Sequence, residues 1–348
     1  MRSSSNAKSG RRKQPSKVGA APSNSDHRTG PLRSNKNAGL VVGVDIGGSN
    51  LRVALADING SLLAKWSTST ATTSSPDAVI AQIEQGIEVL LKQRSSSRRM
   101  LLSVAAGVPG ITDPKSGIVV ATSYLRGWRN VPFQALLESA FGVPASIEND
   151  VRMAALGEHW TGAARGVDDF VFLAIGTGIA AGVFANGRLV HGSNCTAGEV
   201  GYMYVPGSCE KPAKPGAPGS LEQMIAGDGI REQWLKASRG KGKSKELNAT
   251  QVFALASTGD VHARAVLDRS AHLLAYAVYN ISLVLNSSLF VFGGGIGVSI
   301  PLRDATEHSL SQYSEPSTPR LIISKLGTDA QLMGAIRLAL TTADHVKA

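Results

Sequence analysis

The chain has 348 residues, enough for two domains of ordinary size, and its 43% hydrophobic content predicts a globular protein with a large core. The net charge of +10 is unevenly distributed: nine of the 36 Lys and Arg residues lie within residues 1–38, with one of the 26 acids, Asp26. The other 27 basic and 25 acidic residues nearly cancel, and aromatic residues make up only 5%. A nucleic-acid surface is therefore not expected on the folded part.

Residues 1–38 are rich in Ser, Lys, Arg, Pro and Asn and contain little to bury, which predicts a disordered basic leader. They lack the apolar segment of a secretory signal, and without an amphipathic pattern we prefer a solvated tail to an organelle transit peptide. No apolar run reaches the roughly 18 residues that span a bilayer. The two cysteines, Cys195 and Cys209, make neither a disulfide framework nor a complete zinc site. We therefore expect a cytoplasmic protein with no membrane partner.

The first predicted elements form a hairpin plan that occurs twice. Residues 41–63 read as an apolar strand, a Gly-Gly-Ser-Asn turn at 47–50, a second apolar strand and an Asn-Gly turn into a third strand. Residues 170–190 repeat this order around a Gly-Thr-Gly turn at 176–178. Two related lobes are therefore predicted, with glycine turns whose backbone N–H groups an anion can approach closely. Two such turns facing each other would hold a polyphosphate between the lobes.

Strands and helices alternate along the rest of the chain. The first group comprises a helix that begins at 74–77, a buried strand over 100–114, a helix over 132–142, a short strand over 144–150 and a helix over 151–160. The second group comprises an aperiodic Pro, Gly and Lys loop over 206–220, a long apolar helix over 261–286, a buried strand with a third glycine turn over 287–297 and an amphipathic helix over 330–340. This alternation predicts the α/β class.

Three glycine-rich elements in one chain favour phosphate binding, although any one of them is equally explained as a tight hairpin. The sequence contains no GxxxxGK[ST] segment, so a P-loop nucleotidase is not indicated. A dinucleotide-binding fold is not indicated either, because residues 179–184 continue as a strand where that fold requires a helix.

Two positions carry carboxylates suited to phosphoryl transfer, which needs a base for the acceptor hydroxyl and a metal ion to offset phosphate charge. Asn149 and Asp150 lie where an apolar strand ends and a helix begins, and either could simply cap that helix. Asp45 ends an apolar strand just before Gly47. A carboxylate there requires a partner, and phosphate-bound Mg²⁺ would be one.

A second pair of acids lies in the predicted second lobe. Glu199 and Glu222 both occur between glycine-rich segments. Two carboxylates can accept hydrogen bonds from the hydroxyl groups of a sugar. Glutamate is also a common residue on any protein surface, so the residues alone leave both interpretations open.

Together these segments resemble the ROK family of bacterial sugar kinases and sugar-responsive repressors, which has an actin-like, two-lobed ATPase fold related to ribonuclease H. The resemblance covers about residues 40–343, and its motifs occur in the family's order. DIGGSN looks like the first phosphate motif, IGTGIAAGVFANGRLVHG like the second, and FGGGIG like the adenosine motif. Further matches are GVPGITDPKSG, LRGW, ENDVRMAALGE, AGEVGY, GSLE and LGTDAQLMGA.

The resemblance implies a hexose as substrate and ATP with Mg²⁺ as cofactors. By position, it implies Asp150 as the catalytic base and Asp45 as the residue that places Mg²⁺, directly or through water. The implied sugar-binding residues are Asn149, Glu199, Tyr202, Glu222 and Gly110. The implied phosphate- and adenosine-binding residues are Gly47, Gly48, Ser49, Asn50, Thr177, Gly178, Gly293, Gly294 and Gly295.

The chain departs from the family pattern in one segment. Many members have a histidine shortly after the first sugar-binding glutamate and then a CxCGxxGC cluster, and together these residues bind zinc. Here Tyr202 takes the place of the histidine, and the 206–220 loop, with Cys209 as its only cysteine, replaces the cluster. We expect no zinc, because a site that keeps one ligand of the set would not hold the metal. Sugar specificity cannot be carried over either, because the geometry of Tyr202 differs from that of histidine.

The resemblance also sets expectations for the whole chain. Residues 39–150 would form a small lobe, onto which a C-terminal helix at 328–348 packs back, and residues 151–327 a large lobe. No specific DNA binding is expected, because the leader lacks the helices that form the core of a winged helix-turn-helix domain. A homodimer is expected from the family alone. The predicted function is phosphorylation of a hexose by ATP, and the alternative is a catalytically silent sugar sensor, suggested by Tyr202 and the missing zinc cluster.

Overall fold

The computed structural model describes residues 39–70, 75–208, 213, 217–238, 246–313 and 318–345. The predicted leader at 1–38, Ser74 at the predicted helix start, and Cys209 with most of its loop lie outside these residues. The described residues belong to one unit, Asn37–Ala348. Among the helices described, none combines the length and the apolar character needed to cross a bilayer.

The elements up to residue 161 follow the predicted alternation. The predicted strand over 100–114 is divided at Gly110, whose positive φ of 97° turns the chain. In chain order the elements are β1 (Leu40–Ile46), β2 (Asn50–Asp57), β3 (Leu62–Ser69), α1 (Pro76–Gln93), β4 (Leu101–Val108), β5 (Ile111–Asp113), β6 (Ile118–Ala121), β7 (Arg129–Val131), α2 (Phe133–Phe141), β8 (Ala145–Asn149) and α3 (Asp150–Thr161).

The later elements repeat the hairpin and then add most of the helices. The elements are β9 (Phe170–Ile175), β10 (Ile179–Ala185), β11 (Arg188–Leu189), α4 (Ser220–Ile225), α5 (Gly227–Ala237), α6 (Ala249–Ser257), α7 (Val261–Leu285), β12 (Leu289–Gly293), α8 (Gly294–Gly297), α9 (Ile300–Leu310), β13 (Arg320–Ile323) and α10 (Ala330–His345). The third glycine turn is therefore the start of a short helix, α8, and the third strand of the second hairpin is only two residues long.

Two five-stranded sheets have the same topology. Their strand orders are β3-β2-β1-β4-β8 and β11-β10-β9-β12-β13, and β5, β6 and β7 form a separate small sheet. In each large sheet the first two strands pair antiparallel, and the first strand pairs parallel with a later one. This repetition confirms the duplicated hairpin plan that the glycine turns predicted.

Each large sheet has its own apolar core on one face. Under the first sheet, Ile83 and Ile87 of α1 and Phe133 of α2 are fully buried against the strands. The periodic apolar residues of α1 face the sheet, and its Ser75 caps the helix by accepting a hydrogen bond from Ala78 N. Under the second sheet, helices α4 to α7 and α9 form the larger core.

Helices α3 and α10 form a layer that joins the two sheets. Ala154 and Ala155 of α3 pack with Phe170 and Phe172 of β9, whereas α10 packs its Ile336 against β1. Because α3 follows the last strand of the first sheet and precedes the first strand of the second, it is the covalent link between the sheets. The position of α10 brings the end of the chain back to the first sheet.

The two helices touch backbone to backbone where they cross. A Cβ atom on Gly334 of α10 would lie 1.8 Å from the carbonyl oxygen of Met153, and one on Gly157 of α3 would lie 2.2 Å from that of Ala330. Only glycine leaves room for such an approach. The crossing therefore sets the distance between α3 and α10. Because α10 packs on the first sheet, it also sets the distance between α3 and that sheet.

We predict that Gly334→Ala lowers the free energy of unfolding by about 2–3 kcal/mol, because the added methyl group forces the helices apart. The sign is informative, since alanine is otherwise favoured over glycine within a helix by about 1 kcal/mol. Urea denaturation measures the change. Arg337→Ala, at an exposed position of the same helix, is the control and should change stability by less than about 0.5 kcal/mol. A Gly334→Ala protein as stable as the wild type would contradict the backbone contact.

Candidate functional site

Most of the predicted site residues come from the carboxyl ends of parallel strands, where open α/β sheets bind ligands. In the first sheet, Asp45 is the sixth residue of β1, Gly110 follows β4, and Asn149 ends β8. In the second sheet, the 176–178 turn follows β9 and Gly293 ends β12. The shared topology thus brings polar side chains and glycine turns to the corresponding edges of both sheets.

Asn149 is the N-cap of α3, as one of the two interpretations of the sequence required. Its Oδ1 accepts hydrogen bonds from the backbone N–H groups of Val151 and Arg152, both at 3.0 Å. Its Nδ2 donates to the carbonyl oxygen of Gly110 at 2.9 Å. The amide is therefore fixed between the helix start and the turn after β4. Both Asn149 and Gly110 belong to the predicted sugar-binding set.

The carboxyl group of Asp150 has a pKa well above the usual value for aspartate. Burial raises the pKa of Asp150 to about 7, and the charges of Asp45 and Glu199 add to the rise. Hydrogen bonding to the N–H of Val151, at 2.9 Å from Oδ1, acts in the opposite direction. A carboxylate that titrates near neutral pH, at a helix start and beside other acids, is suited to accept a proton during a reaction.

Asp45 is 5% exposed and is paired with Arg52, the residue opposite it on β2. Asp45 Oδ2 lies 2.7 Å from Arg52 Nε and 2.5 Å from Arg52 Nη2. Arg52 also donates to the carbonyl oxygen of Thr328 at 2.5 Å and to Gln331 Oε1 at 3.0 Å. Burial raises the pKa of Asp45, and Arg52 opposes this. The partner that the sequence argument required is thus present in the protein, so the burial of Asp45 does not by itself indicate a metal.

The chemistry around Asp45 is nevertheless compatible with Mg²⁺. Asp45 and Asp150 lie close enough for the charge of one to raise the pKa of the other, and a cation beside them would relieve that repulsion. Mg²⁺ commonly takes one or two protein carboxylates and completes its shell with water and phosphate oxygens. Asp45, two residues before the glycine turn at 47–50, therefore meets the minimum that Mg²⁺ needs from a protein.

Glu199, Tyr202 and Glu222 are brought together on the second side of the site. Glu222, on α4, accepts a hydrogen bond from Ile179 N at 2.9 Å. Burial raises the pKa of Glu199, with Arg152 opposing and Glu222 adding to the shift. Burial, Glu199 and Glu222 raise the pKa of the Tyr202 phenol. The hydroxyl-binding residues implied by the family resemblance therefore form one cluster.

The glycine turns present exposed backbone at the same edge of the sheets. Gly48, Ser49, Asn50, Thr177, Gly294 and Gly295 are all exposed. Gly176 accepts a hydrogen bond from Gly227 N at 3.0 Å and lies beside the backbone N of Gly295. A Cβ atom on Gly178 would lie 2.7 Å from Glu222 Oε2, so a side chain there would displace that carboxylate. The second and third glycine elements thus adjoin each other, as a nucleotide site requires.

Tyr124, which the sequence arguments missed, lies between the first two glycine turns. Its Cδ1 would be 3.4 Å from a Cβ atom on Gly48, and its hydroxyl 3.5 Å from one on Gly178. Burial raises the pKa of Tyr124, and the charges of Glu222 and Asp150 raise it further. The sequence signal available was an aromatic residue in a Gly- and Ser-containing segment, directly before the LRGW motif. The phenol therefore lies between the two glycine turns and near the carboxylates of Glu222 and Asp150.

A buried ionic cluster behind the site was also missed. Glu148 accepts a hydrogen bond from Arg152 Nε at 2.7 Å, and its other oxygen lies 2.6 Å from His191 Nε2. The i,i+4 spacing of Glu148 and Arg152 around Asn149 and Asp150 was a signal for the ion pair. In the sequence analysis, these two residues were used only to predict the end of a strand and the start of a helix.

The described residues contain no group of three or more His, Cys, Asp and Glu side chains arranged to hold a metal. Cys195, the cysteine within that part of the chain, is a free thiol. Because Cys209 lies outside the described residues, the expectation of no zinc stays a prediction.

Comparison with known proteins gives matches over nearly the whole described region. The sequence profile of the ROK family matches residues 41–342. A glucokinase of Halalkalibacterium halodurans is 30% identical over 312 residues, which are 84% of this chain and 92% of that protein. A glucokinase of Thermotoga maritima is 30% identical over 317 residues, with 85% and 95% covered.

A solved structure gives the same result for the fold. The crystal structure of a ROK hexokinase from Thermus thermophilus matches with a TM-score of 0.73 and 26% identity, covering 88% of this chain and 99% of that one. This match confirms the predicted α/β fold class with its duplicated hairpins.

We predict that Asn149→Ala lowers the free energy of unfolding by about 1 kcal/mol, because the first turn of α3 loses its cap. Asn149→Ser should recover most of this loss, since a serine hydroxyl also accepts from the N–H groups of the helix start. Urea denaturation of the two variants measures the effect. Equal stability of wild type and Asn149→Ala would show that the cap contributes nothing.

Proposed function

This chain belongs to the ROK family, and we propose that it is an ATP-dependent hexose kinase of the glucokinase type. The observation that carries the proposal is Asp150, a carboxylate with a pKa of about 7 at the start of α3, among the residues suited to bind a sugar. The likeness to two glucokinases supports glucose as the first acceptor to test.

Asp150 acts as the general base. When the acceptor hydroxyl attacks the γ-phosphorus, its proton must leave, and Asp150 takes it. Asn149, fixed by its bond to Gly110, orients the sugar beside the carboxylate. Because the reaction needs positioning and charge stabilisation more than covalent chemistry from the protein, a rigid helix start is a suitable place for the base.

The second side of the sugar is held by Glu199 and Glu222, which accept hydrogen bonds from its hydroxyl groups. Glu222 is itself fixed by the N–H of Ile179, the residue after the second glycine turn. Tyr202 lies near both carboxylates and provides a phenol in the same cluster. The acceptor is thus bound between the start of α3 on one side and the 199–202 segment with α4 on the other, and the hydroxyl to be phosphorylated points toward Asp150.

ATP is bound through the glycine turns. The backbone N–H groups of the turns at 47–50 and 176–178 receive its phosphates, and Gly293, Gly294 and Gly295 pass beside the adenosine. Asp45 would hold Mg²⁺, which supplies positive charge against the phosphate oxygens. Closure of the two predicted lobes, 39–150 with 328–348 and 151–327, would exclude water from the transfer.

Four further expectations accompany this proposal. The homodimer, the cytoplasmic location, the absence of zinc and the absence of specific DNA binding stay predictions. The catalytically silent sugar sensor is the outcome to which the tests below would point if a sugar binds without being phosphorylated.

We predict that Asp150→Asn lowers kcat for hexose phosphorylation by about 10²- to 10⁴-fold, the usual contribution of a general base. The affinity for the hexose should change far less, because the amide keeps the shape and one hydrogen-bond acceptor. A coupled ADP-release assay measures kcat, and calorimetry without nucleotide measures the hexose Kd.

Asp268→Asn is the matched control, because Asp268 is an exposed residue of α7 paired with Arg264 away from the site. It should keep the wild-type kcat. Normal turnover in Asp150→Asn would remove Asp150 from the mechanism.

We predict that kcat/KM for the hexose rises about tenfold between pH 6 and pH 8, since a base must be ionised to accept a proton and Asp150 ionises near pH 7. Below this range the carboxyl group is protonated and activity is lost in proportion, whereas above it the rate should level off. The pH dependence at saturating ATP and Mg²⁺ gives the midpoint. A profile that is flat from pH 6 to 8 would contradict a base with a raised pKa.

A further inference from the structure

The buried cluster of Glu148, Arg152 and His191, here called the Glu148 cluster, has no place in the mechanism above. Glu148 is 4% exposed and Arg152 is 2% exposed. The pKa of Glu148 stays below its usual range although burial raises it, because His191 and Arg152 more than compensate. The cluster thus holds a carboxylate and a guanidinium inside the protein as charged groups.

Arg152 uses its guanidinium to join four segments of the chain. Nε donates to Glu148 at the end of β8, Nη1 to the carbonyl oxygen of Cys195 at 3.1 Å, and Nη2 to that of Thr112 in β5 at 3.0 Å. Arg152 itself lies in the first turn of α3. Through His191 and Cys195 the cluster holds the loop of residues 191–199, which follows the second hairpin, against elements attached to the first sheet.

Each side of the sugar site is attached to this cluster. Asn149 and Asp150 lie between Glu148 and Arg152 in the sequence, and Asn149 N donates to Glu148 Oε1 at 2.7 Å. The 191–199 loop ends in Glu199, whose ionisation Arg152 favours. The cluster is therefore placed directly behind the residues that are proposed to bind the acceptor from both sides.

Stability alone is a weak reason for such a cluster. Removing two charges from water costs free energy, and a buried ion pair is often no better for stability than apolar residues of similar size. What a planar guanidinium does provide, when each of its three nitrogens donates to a different segment, is a fixed geometry between those segments. The geometry fixed here is that between the base side and the Glu199 side of the sugar site.

We propose that Arg152 is a positioning residue for hexose binding: with Glu148 and His191 it fixes the 191–199 loop, and so Glu199, relative to Asn149 and Asp150. This inference rests on the proposed sugar-kinase function. The end of the loop has its own anchor, because Gly198 accepts a hydrogen bond from Ala181 N at 2.7 Å. Loss of Arg152 should therefore loosen the loop around Cys195 without unfolding the hairpin from which it extends.

The test separates positioning from mere stability by removing the charge of Arg152 alone and then together with that of Glu148. Arg152→Met leaves Glu148 buried without its cation and is expected to destabilise the fold. The double variant Glu148→Gln/Arg152→Met removes the imbalance, while the introduced amide oxygen can still accept a hydrogen bond from His191. Arg152→Lys keeps the charge without the planar fork. Arg98→Met, which breaks an exposed pairing with Glu84 and Glu88 remote from the cluster, is the control.

Four quantities are measured for each variant: the Tm, the Kd for glucose by calorimetry without nucleotide, the Kd for a non-hydrolysable ATP analogue, and hydrogen–deuterium exchange of residues 191–199. In the double variant we expect a Tm near that of the wild type, a glucose Kd raised about tenfold or more, an unchanged analogue Kd, and faster exchange in the loop. Arg152→Lys should lie between wild type and the double variant in glucose Kd.

A double variant that recovers both the Tm and the wild-type glucose Kd would overturn the proposal, because the cluster would then serve stability alone. Unchanged exchange of residues 191–199 would also overturn it, and this readout does not depend on any sugar. Failure of the proposed function looks different: the wild-type protein itself would then bind no hexose, or bind one without phosphorylating it, whatever the behaviour of the loop.

Discussion

The site depends on holding several like charges close together. Burial raises the pKa of Asp150, and the charges of Asp45 and Glu199 raise it further, so the carboxylates cannot all be ionised at low cost without compensation. The protein supplies two guanidinium groups, Arg52 at Asp45 and Arg152 near Glu199. Burial is the largest cause of the raised pKa of Asp150, and the charge of Asp45 adds to it. The result is a carboxylate whose pKa suits a base.

The fold explains how these charges are brought together. Each sheet contributes one wall, because the same strand order places a glycine turn and polar residues at the edge that faces the ligand. The layer of α3 and α10 joins the walls, and its tightest point is the contact between Gly157 and Gly334. Glu158, fully buried one residue further along α3, accepts hydrogen bonds from Leu326 N at 3.0 Å and from Ser324. The start of α3 carries the proposed base, and Glu158 near its end holds the segment that leads into α10.

Much of this could be predicted from the sequence, for a physical reason. Glycine turns, hairpins and helix starts are determined by neighbouring residues, so the duplicated hairpins and the position of Asn149 and Asp150 were found correctly. The cap interpretation of Asn149 is confirmed, because its Oδ1 accepts hydrogen bonds from the first turn of α3, whereas sugar binding by Asn149 stays a prediction. The pairing of Asp45 with Arg52 was not found, since Arg52 comes opposite Asp45 only when β1 and β2 pair, and Mg²⁺ at Asp45 stays a prediction. Tyr124 was missed for a similar reason: its role depends on packing between distant turns.

The measurement that tests the account most directly is transfer of the labelled γ-phosphate of ATP, with Mg²⁺, to each of glucose, fructose, mannose and the N-acetylated amino sugars. The account predicts label in a hexose phosphate with at least one of these acceptors and none in the absence of sugar. A protein that binds one of the sugars calorimetrically yet transfers label to none of them would contradict the kinase. The retained site would then have to be explained as that of a sugar sensor.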